Sequence, residues 1–294
     1  MSENILPAPS VKEAFVQGLL DWSAKNLRDF PWRKWPDITP YEVLVAELLL
    51  KRTTAEAARR AYPGFLERFP DVGPIYAATH EELVDSFRGV GLYNQRARAT
   101  ARLAEHLIVV HGGDIPSDLE DLMAVPGLGA YSARAILSLG YGVPSAVVDS
   151  NVGRVFARVF KRSISDSPSL KVIQRLADYL LPTEEHRLFN LGLLDFGSLM
   201  CRPKHPRCDV CPVANICDGA FPENEVVSLV YRPFAVWLRK ERVRCGLSLV
   251  RTSQMSGVSK STLVAIEKGR VVPRPATVSR LRDVLQSVTR PFPN

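Results

Sequence analysis

"LMAVPGLGAYSARAILSLG", residues 122–140, sets Gly127 and Gly129 around a single apolar residue, Leu128, just ahead of an apolar run with helical spacing. The preceding "DLEDLMAV" carries the same spacing, so the Pro-Gly-x-Gly stretch is the turn between two helices. Without β-carbons the two glycines let a partner approach the backbone, and N–H groups at the head of the next helix point outward together. Such a turn suits a phosphate. Two readings fit it: a tight interhelical connection with no ligand, or a helix-hairpin-helix that grips a DNA backbone without reading bases.

Working outward, amphipathic helical spacing recurs from Val11 to about Leu194, in "YEVLVAELLLKRTTAEAARRAYPGFLERF", "SNVGRVFARVF" and "LKVIQRLADYLL" among others. Strand-like alternation with hairpin turns is scarce, and the fold class expected is all-α. A chain of 294 residues with 46% hydrophobic content is long enough for two or three domains. It holds no run of about 18 apolar residues, and "MSENILPAPS" lacks the basic and apolar regions of a signal peptide. A soluble, intracellular protein with no membrane partner is expected. The net charge of +7 is unevenly spread: residues 219–294 carry 13 Lys and Arg against 5 Asp and Glu, the rest 25 against 26. That cationic tail is either a solvated face or the footprint of a phosphate-backbone binder.

Two acids stand out. Asp149, in "AVVDSNVGRVFARVF", follows an apolar run at the mouth of a new helix, where it can serve as an N-cap. A carboxylate there, close to a phosphate-binding hairpin, could also stabilise the positive sugar of an oxocarbenium-like transition state. Glu47 lies between Val43-Leu44-Val45 and Leu48-Leu49-Leu50. Either it reaches the surface beside Lys51, an i,i+4 pair, or it sits in a cavity with a raised pKa, ready to act as a general acid.

Four of the five cysteines occupy "CRPKHPRCDVCPVANIC", residues 201–217, spaced C-x6-C-x2-C-x5-C. A secreted disulfide framework would spread its pairs along the chain. Zinc sites usually pair two C-x2-4-C knuckles, whereas one C-x2-C with a single cysteine on each side fits a four-thiolate iron–sulfur cluster better. Arg202, Lys204, His205 and Arg207 make the loop between the first two ligands basic. Cys245 stands apart as an ordinary apolar position.

The hairpin "VPGLGAYSARA", the downstream "VDSNVGRV" and the cysteine run, in that order, resemble the endonuclease III superfamily of helix-hairpin-helix (HhH-GPD) base-excision DNA glycosylases over roughly residues 11–218. The resemblance implies a two-lobed all-α body with a cleft into which a nucleotide is flipped. It places a glycosylase domain over residues 1–218, with a six-helix barrel lobe at about 36–145 and a cluster lobe at 11–35 and 146–218. Asp149 matches the family's catalytic aspartate, and Cys201, Cys208, Cys211 and Cys217 match the ligands of its [4Fe-4S] cluster. Endonuclease III has lysine as the second residue after the hairpin G-x-G, and that amine forms a Schiff base. Tyr131 stands there in this chain, as in thymine-DNA mismatch glycosylases, and a phenol forms no imine. "AELLLKRTTA", "GLYNQRA" and "FNLGLLDFGSLMC" resemble the same mismatch glycosylases.

The resemblance therefore implies a monofunctional glycosylase that removes thymine or uracil opposite guanine, with Asp149, Glu47 and Tyr131 as catalytic residues. Gly127, Leu128 and Gly129 would hold the DNA backbone, and Arg52 and Leu193 would contact the stranded guanine. The alternatives are adenine excision opposite guanine or 8-oxoguanine, and a non-catalytic regulator. Residues 219–231 read as a linker. Residues 232–294 resemble a helix-turn-helix of the Xre or lambda-repressor type, with Ser259 capping a recognition helix whose Lys260, Ser261 and Thr262 face a groove; Leu249 replaces the glutamine usual after "GLS". The expected partner is double-stranded DNA with a mismatched or damaged base, bound by a monomer in the cytoplasm at the nucleoid.

Overall fold

A computed structural model describes residues 6–164, 168–220, 232–268, 273 and 275–289, and among these there is no strand, so the chain is all-α as its periodicity implies. It divides into two compact units, Met1–Ile216 and Cys217–Asn294. Most of the linker read at 219–231 lies outside the described residues.

In the first unit α1 (Pro9–Asn26) precedes seven helices built around one core: α2 (Pro40–Leu50), α3 (Ala55–Arg68), α4 (Val72–Ala77), α5 (His80–Ser86), α6 (Tyr93–His111), α7 (Leu119–Ala124) and α8 (Ala130–Ala135). Polar caps set their starts. Thr39 and Glu42 form a capping box at the head of α2, with Pro40 in its first turn, and Thr54, Thr79 and Asp118 cap α3, α5 and α7. Each such cap contributes about 1 kcal/mol. Residues 43–49 of α2 are all buried, so this stretch has no polar stripe to carry Glu47 to the helix's outer surface. A π-helical turn, Ile136–Tyr141, continues α8, and Gly140 passes so close to Pro40 that a β-carbon would lie 2.7 Å from its Cα.

A second lobe of the same unit comprises α1 with α9 (Ser150–Val159), α10 (Leu170–Leu180) and α11 (His186–Leu199). Phe15 of α1 packs edge-to-face on Phe156, Phe160 and Phe189, with centroids 5.1–6.4 Å apart. The helices α1 and α11 meet at Gly192, where a β-carbon would fall 1.8 Å from Ser23 Oγ. Only a glycine permits that approach.

The second unit holds α12 (Arg232–Arg244), α13 (Leu249–Ser256), α14 (Lys260–Glu267) and α15 (Pro275–Thr289) around Phe234, Leu238, Val258, Leu263, Ile266, Leu281 and Leu285. Ser248 and Ser259 cap α13 and α14, and Gly257, at φ +65°, makes the turn between them. A half-buried Arg242–Glu267 pair, 2.5 and 3.0 Å, fastens α12 to α14. Cys245 packs against this core, as an apolar position would.

Candidate active site

A cavity of about 330 Å³ opens in the first unit where α2 and α8 of one lobe face the head of α9 and one side of α11 in the other. That volume lies at the lower end of small-ligand pockets, roughly 300–1,000 Å³. Its walls include Glu47, Tyr131, Asp149, Asn151 and Asn190. Glu47, Tyr131 and Asp149, spread over about a hundred residues of sequence, thus share one space.

Asp149 caps α9: Val152 N donates to its Oδ1 at 2.8 Å, and Asn151 Nδ2 donates to Oδ2 at 2.8 Å. The cap orients the carboxylate, and Asp149 also lines the cavity. Glu47 is 7% exposed and accepts a 2.7 Å hydrogen bond from Ser132 Oγ on α8. Burial pushes its carboxyl up to about 7, against the opposing pull of the Ser132 hydroxyl and the Lys51 charge. Lys51 does not close the helix-surface pair; its Nζ donates to Gly127 O of the hairpin at 2.5 Å. Tyr131 has its pKa raised well above the usual phenol range by burial, then by the charges of Glu47 and Asp149. It therefore stays a neutral phenol.

The hairpin joins α7 to α8 through Gly127 at φ +88°, with Leu128 N bonded to Val125 O and Gly129 preceding the first turn of α8. Arg52 is exposed at φ +49°, between Leu50 and Thr53, which both line the cavity. Leu193 departs from expectation. It is 1% exposed and faces the interior, while α11 presents Asn190, Leu191, Leu194 and Ser198 to the cavity. One residue along a helix turns a side chain by about 100°, enough to move it from wall to core. Lys260 and Ser261 are exposed and Thr262 half-buried on the first turn of α14, with Ser259 Oγ 2.9 and 2.7 Å from the hydroxyls of Ser261 and Thr262.

Several residues of this site escaped the sequence reading. Asp195 is fully buried and accepts hydrogen bonds from Arg28 N (2.8 Å), Arg28 Nη2 (2.5 Å) and Arg33 Nη1 (2.7 Å), and both arginines line the cavity. The signal was an acid inside an apolar stretch, "FNLGLLDFG", of the same kind that drew notice to Glu47. Asn151 leads further: Arg154 Nη2 donates to Asn151 Oδ1 (3.0 Å) and Gly197 O (2.7 Å), and its Nε to Cys201 O (3.1 Å). Arg96, 7% exposed, gives Nη1 to Leu48 O (2.5 Å), Nε to Gly91 O (2.9 Å) and Nη2 to Lys51 O, joining the 51–52 turn to the 91–92 turn. The second turn raises Leu92, at φ +51° and 47% exposed.

In the cysteine loop no thiol is in a disulfide. Burial and the charge of Cys201 raise Cys208, and burial pushes Cys211 up to about 11, while Arg158 Nη1 lies 3.6 Å from Cys201 Sγ. Among the described residues no group of three or more His, Cys, Asp or Glu side chains is gathered to hold a single metal ion. The donor set itself, four thiols in one short loop, fits a cluster of four irons, each taking one thiolate.

Residues 45–181 match the family of HhH-GPD superfamily base excision DNA repair proteins, and residues 233–289 match a helix-turn-helix domain. The thymine/uracil-DNA glycosylase of Methanothermobacter thermautotrophicus is 34% identical over 70% of this chain and 93% of its own. The adenine DNA glycosylase of Mycobacterium tuberculosis is 33% identical over 71% of this chain and 70% of its own. The structure of a thermostable thymine-DNA glycosylase superimposes with a TM-score of 0.69 at 33% identity, covering 71% of this chain and 96% of that one. The chain belongs to the HhH-GPD superfamily of base-excision DNA repair proteins. It is a DNA glycosylase that carries an additional helix-turn-helix unit. No described helix is long and apolar enough to cross a membrane.

Proposed function

We propose that the protein is a monofunctional glycosylase that hydrolyses the N-glycosidic bond of thymine or uracil mispaired with guanine. The observation that carries this reading is the convergence of Glu47, Tyr131 and Asp149 on one cavity with a phenol, not an amine, at position 131. A pyrimidine flipped from the duplex enters the cavity; flipping costs a few kcal/mol, less at a mismatch, which supplies part of the selectivity. As the bond from C1′ to the base breaks, its electron pair leaves with the base. The Asp149 carboxylate, aimed by Val152 N and Asn151, stabilises the sugar cation and then takes a proton from the attacking water. Glu47 polarises the leaving base or that water, and Tyr131 forms the wall.

Gly127, Leu128 and Gly129 hold the backbone phosphate, and Arg52 with Leu92 fills the gap left by the flipped base. Cys201, Cys208, Cys211 and Cys217 hold a [4Fe-4S] cluster whose part is structural, fixing a loop that carries Arg202, Lys204 and Arg207 to the backbone. Lys260, Ser261 and Thr262 add groove contacts from the second unit.

Adenine excision is the second reading, favoured by the adenine glycosylases at comparable identity. Fluorescent duplexes bearing G·T, G·U, A·G and A·8-oxoguanine, each treated with protein and then alkali, separate the two. Cleavage at G·T or G·U supports the proposal, and cleavage only at adenine overturns it. Sequence-specific duplex binding with no abasic product would instead point to a regulator.

A further inference from the structure

Glu47 is poised by a residue for which the excision chemistry has so far no use. Ser132 is 5% exposed and follows Tyr131 on α8, so consecutive side chains of one helix go to the cavity wall and to the cavity's buried acid. Its Oγ donates to Glu47 Oε2 at 2.7 Å, across 85 residues of chain. No other hydrogen-bond donor to Glu47 stands among the described residues. A second tie between the same two elements, Lys51 Nζ to Gly127 O, keeps α2 in register with the hairpin that starts α8. The charged and titratable groups around Glu47 are Lys51 just past the end of its helix and Tyr131 on α8, with Asp149 at the head of α9 and Arg33 from the segment before α2 lining the same cavity.

We infer that Ser132 is a positioning residue, whose hydroxyl holds one oxygen of Glu47, leaves the other to the cavity and sets the pH at which this acid changes charge during base excision. A hydroxyl that donates to a carboxylate favours the ionised form, so it offsets part of the rise that burial imposes. The hydroxyl is thus a tuning element placed by the hairpin's own helix. Engagement of DNA at the hairpin and the state of the acid are mechanically joined through one turn of α8.

The inference rests on the proposed role of Glu47, and its test distinguishes the two. Single-turnover excision by the full chain is measured from pH 5 to 9 on whichever mispair is cleaved, for wild type, Ser132→Ala, Ser132→Thr and Glu47→Gln. The limb that Glu47→Gln abolishes should move up by about one pH unit in Ser132→Ala, the worth of one hydrogen bond to a charged group. Ser132→Thr, which keeps the hydroxyl, should leave that limb in place. A carbon-13 titration of glutamate-labelled protein should show the Glu47 carboxyl moving by the same amount without any substrate. A lower rate with an unmoved limb and an unmoved resonance overturns the role of Ser132 while excision stands. If Glu47→Gln alters neither rate nor profile, the role of Glu47 itself falls.

Discussion

Replacing Arg154 by methionine keeps the length of the side chain and removes the guanidinium that joins Asn151 to the cysteine loop. Three acceptors lose their donor: Asn151 Oδ1, Gly197 O and Cys201 O. A hydrogen bond with a charged partner contributes about 1.5–3 kcal/mol, and water reaching this half-buried site replaces part of it, so the summed loss is ~2–4 kcal/mol. For a unit of this size that lowers the melting temperature by about 5–15 °C. The effect on the reaction should be larger than on folding. Asn151, no longer anchored, leaves Asp149 Oδ2 free to swing, while Val152 N still holds Oδ1. Misplacement of a reacting group by about 1 Å costs up to ~100-fold in rate. Single-turnover excision should fall about 10- to 100-fold with the affinity for mismatched duplex, read by fluorescence anisotropy, unchanged. The double variant Asn151→Ala with Arg154→Met should excise no more slowly than Arg154→Met alone, because both act through one contact. A folded Arg154→Met protein that excises within twofold of wild type would refute the reasoning.

Asp149→Asn should abolish base release while mismatch binding persists, since the amide keeps the cap geometry and loses the charge; retained release, assayed by alkaline cleavage, removes Asp149 from the chemistry. Glu47, with a folded pKa near 7 against 4.5, binds more protons folded than unfolded in that window, so stability falls as pH rises through it. Glu47→Gln should therefore melt at nearly the wild-type temperature at pH 4.5 and be the more stable protein at pH 8, by up to ~3 kcal/mol. Gly192→Ala puts a β-carbon 1.8 Å from Ser23 Oγ and should destabilise the first unit by about 3 kcal/mol, most of it regained with Ser23→Gly, as calorimetry would read. Tyr131→Lys places an amine in the cavity wall and should yield a DNA adduct trapped by borohydride; absence of the adduct in a folded variant means that this wall does not face the sugar.

What could be read along the chain was what nearest-neighbour chemistry specifies. The hairpin glycines, the N-cap character of Asp149 and Ser259 and the helical period of residues 11–194 are local signals, and the folded chain keeps each of them. Glu47 was ambiguous for a physical reason: a helix buried on every side has no stripe from which to read direction, so only the packed neighbours decide where its acid points. Asp195 and its arginines are separated by 162 and 167 residues, and no spacing rule reaches so far. Leu193 could not be placed from the sequence, because Leu191, Leu193 and Leu194 are equally apolar and only the rotation of the helix decides which of them meets the cavity. The cysteine spacing and Tyr131 carried most of the chemical expectation, since residue type narrows what a position can do before any geometry is known.

Arg96 balances its charge on peptide carbonyls at the end of α2 and around Gly91, with no carboxylate among them. A tie of that kind has no acid to protonate and little field for dissolved ions to screen. Brine strong enough to strip the protein from DNA should therefore leave the turns at 51–52 and 91–92 in the same relative pose. Loss of grip and loss of shape are thus separate failures in this molecule, and an ionic-strength series will report only the first.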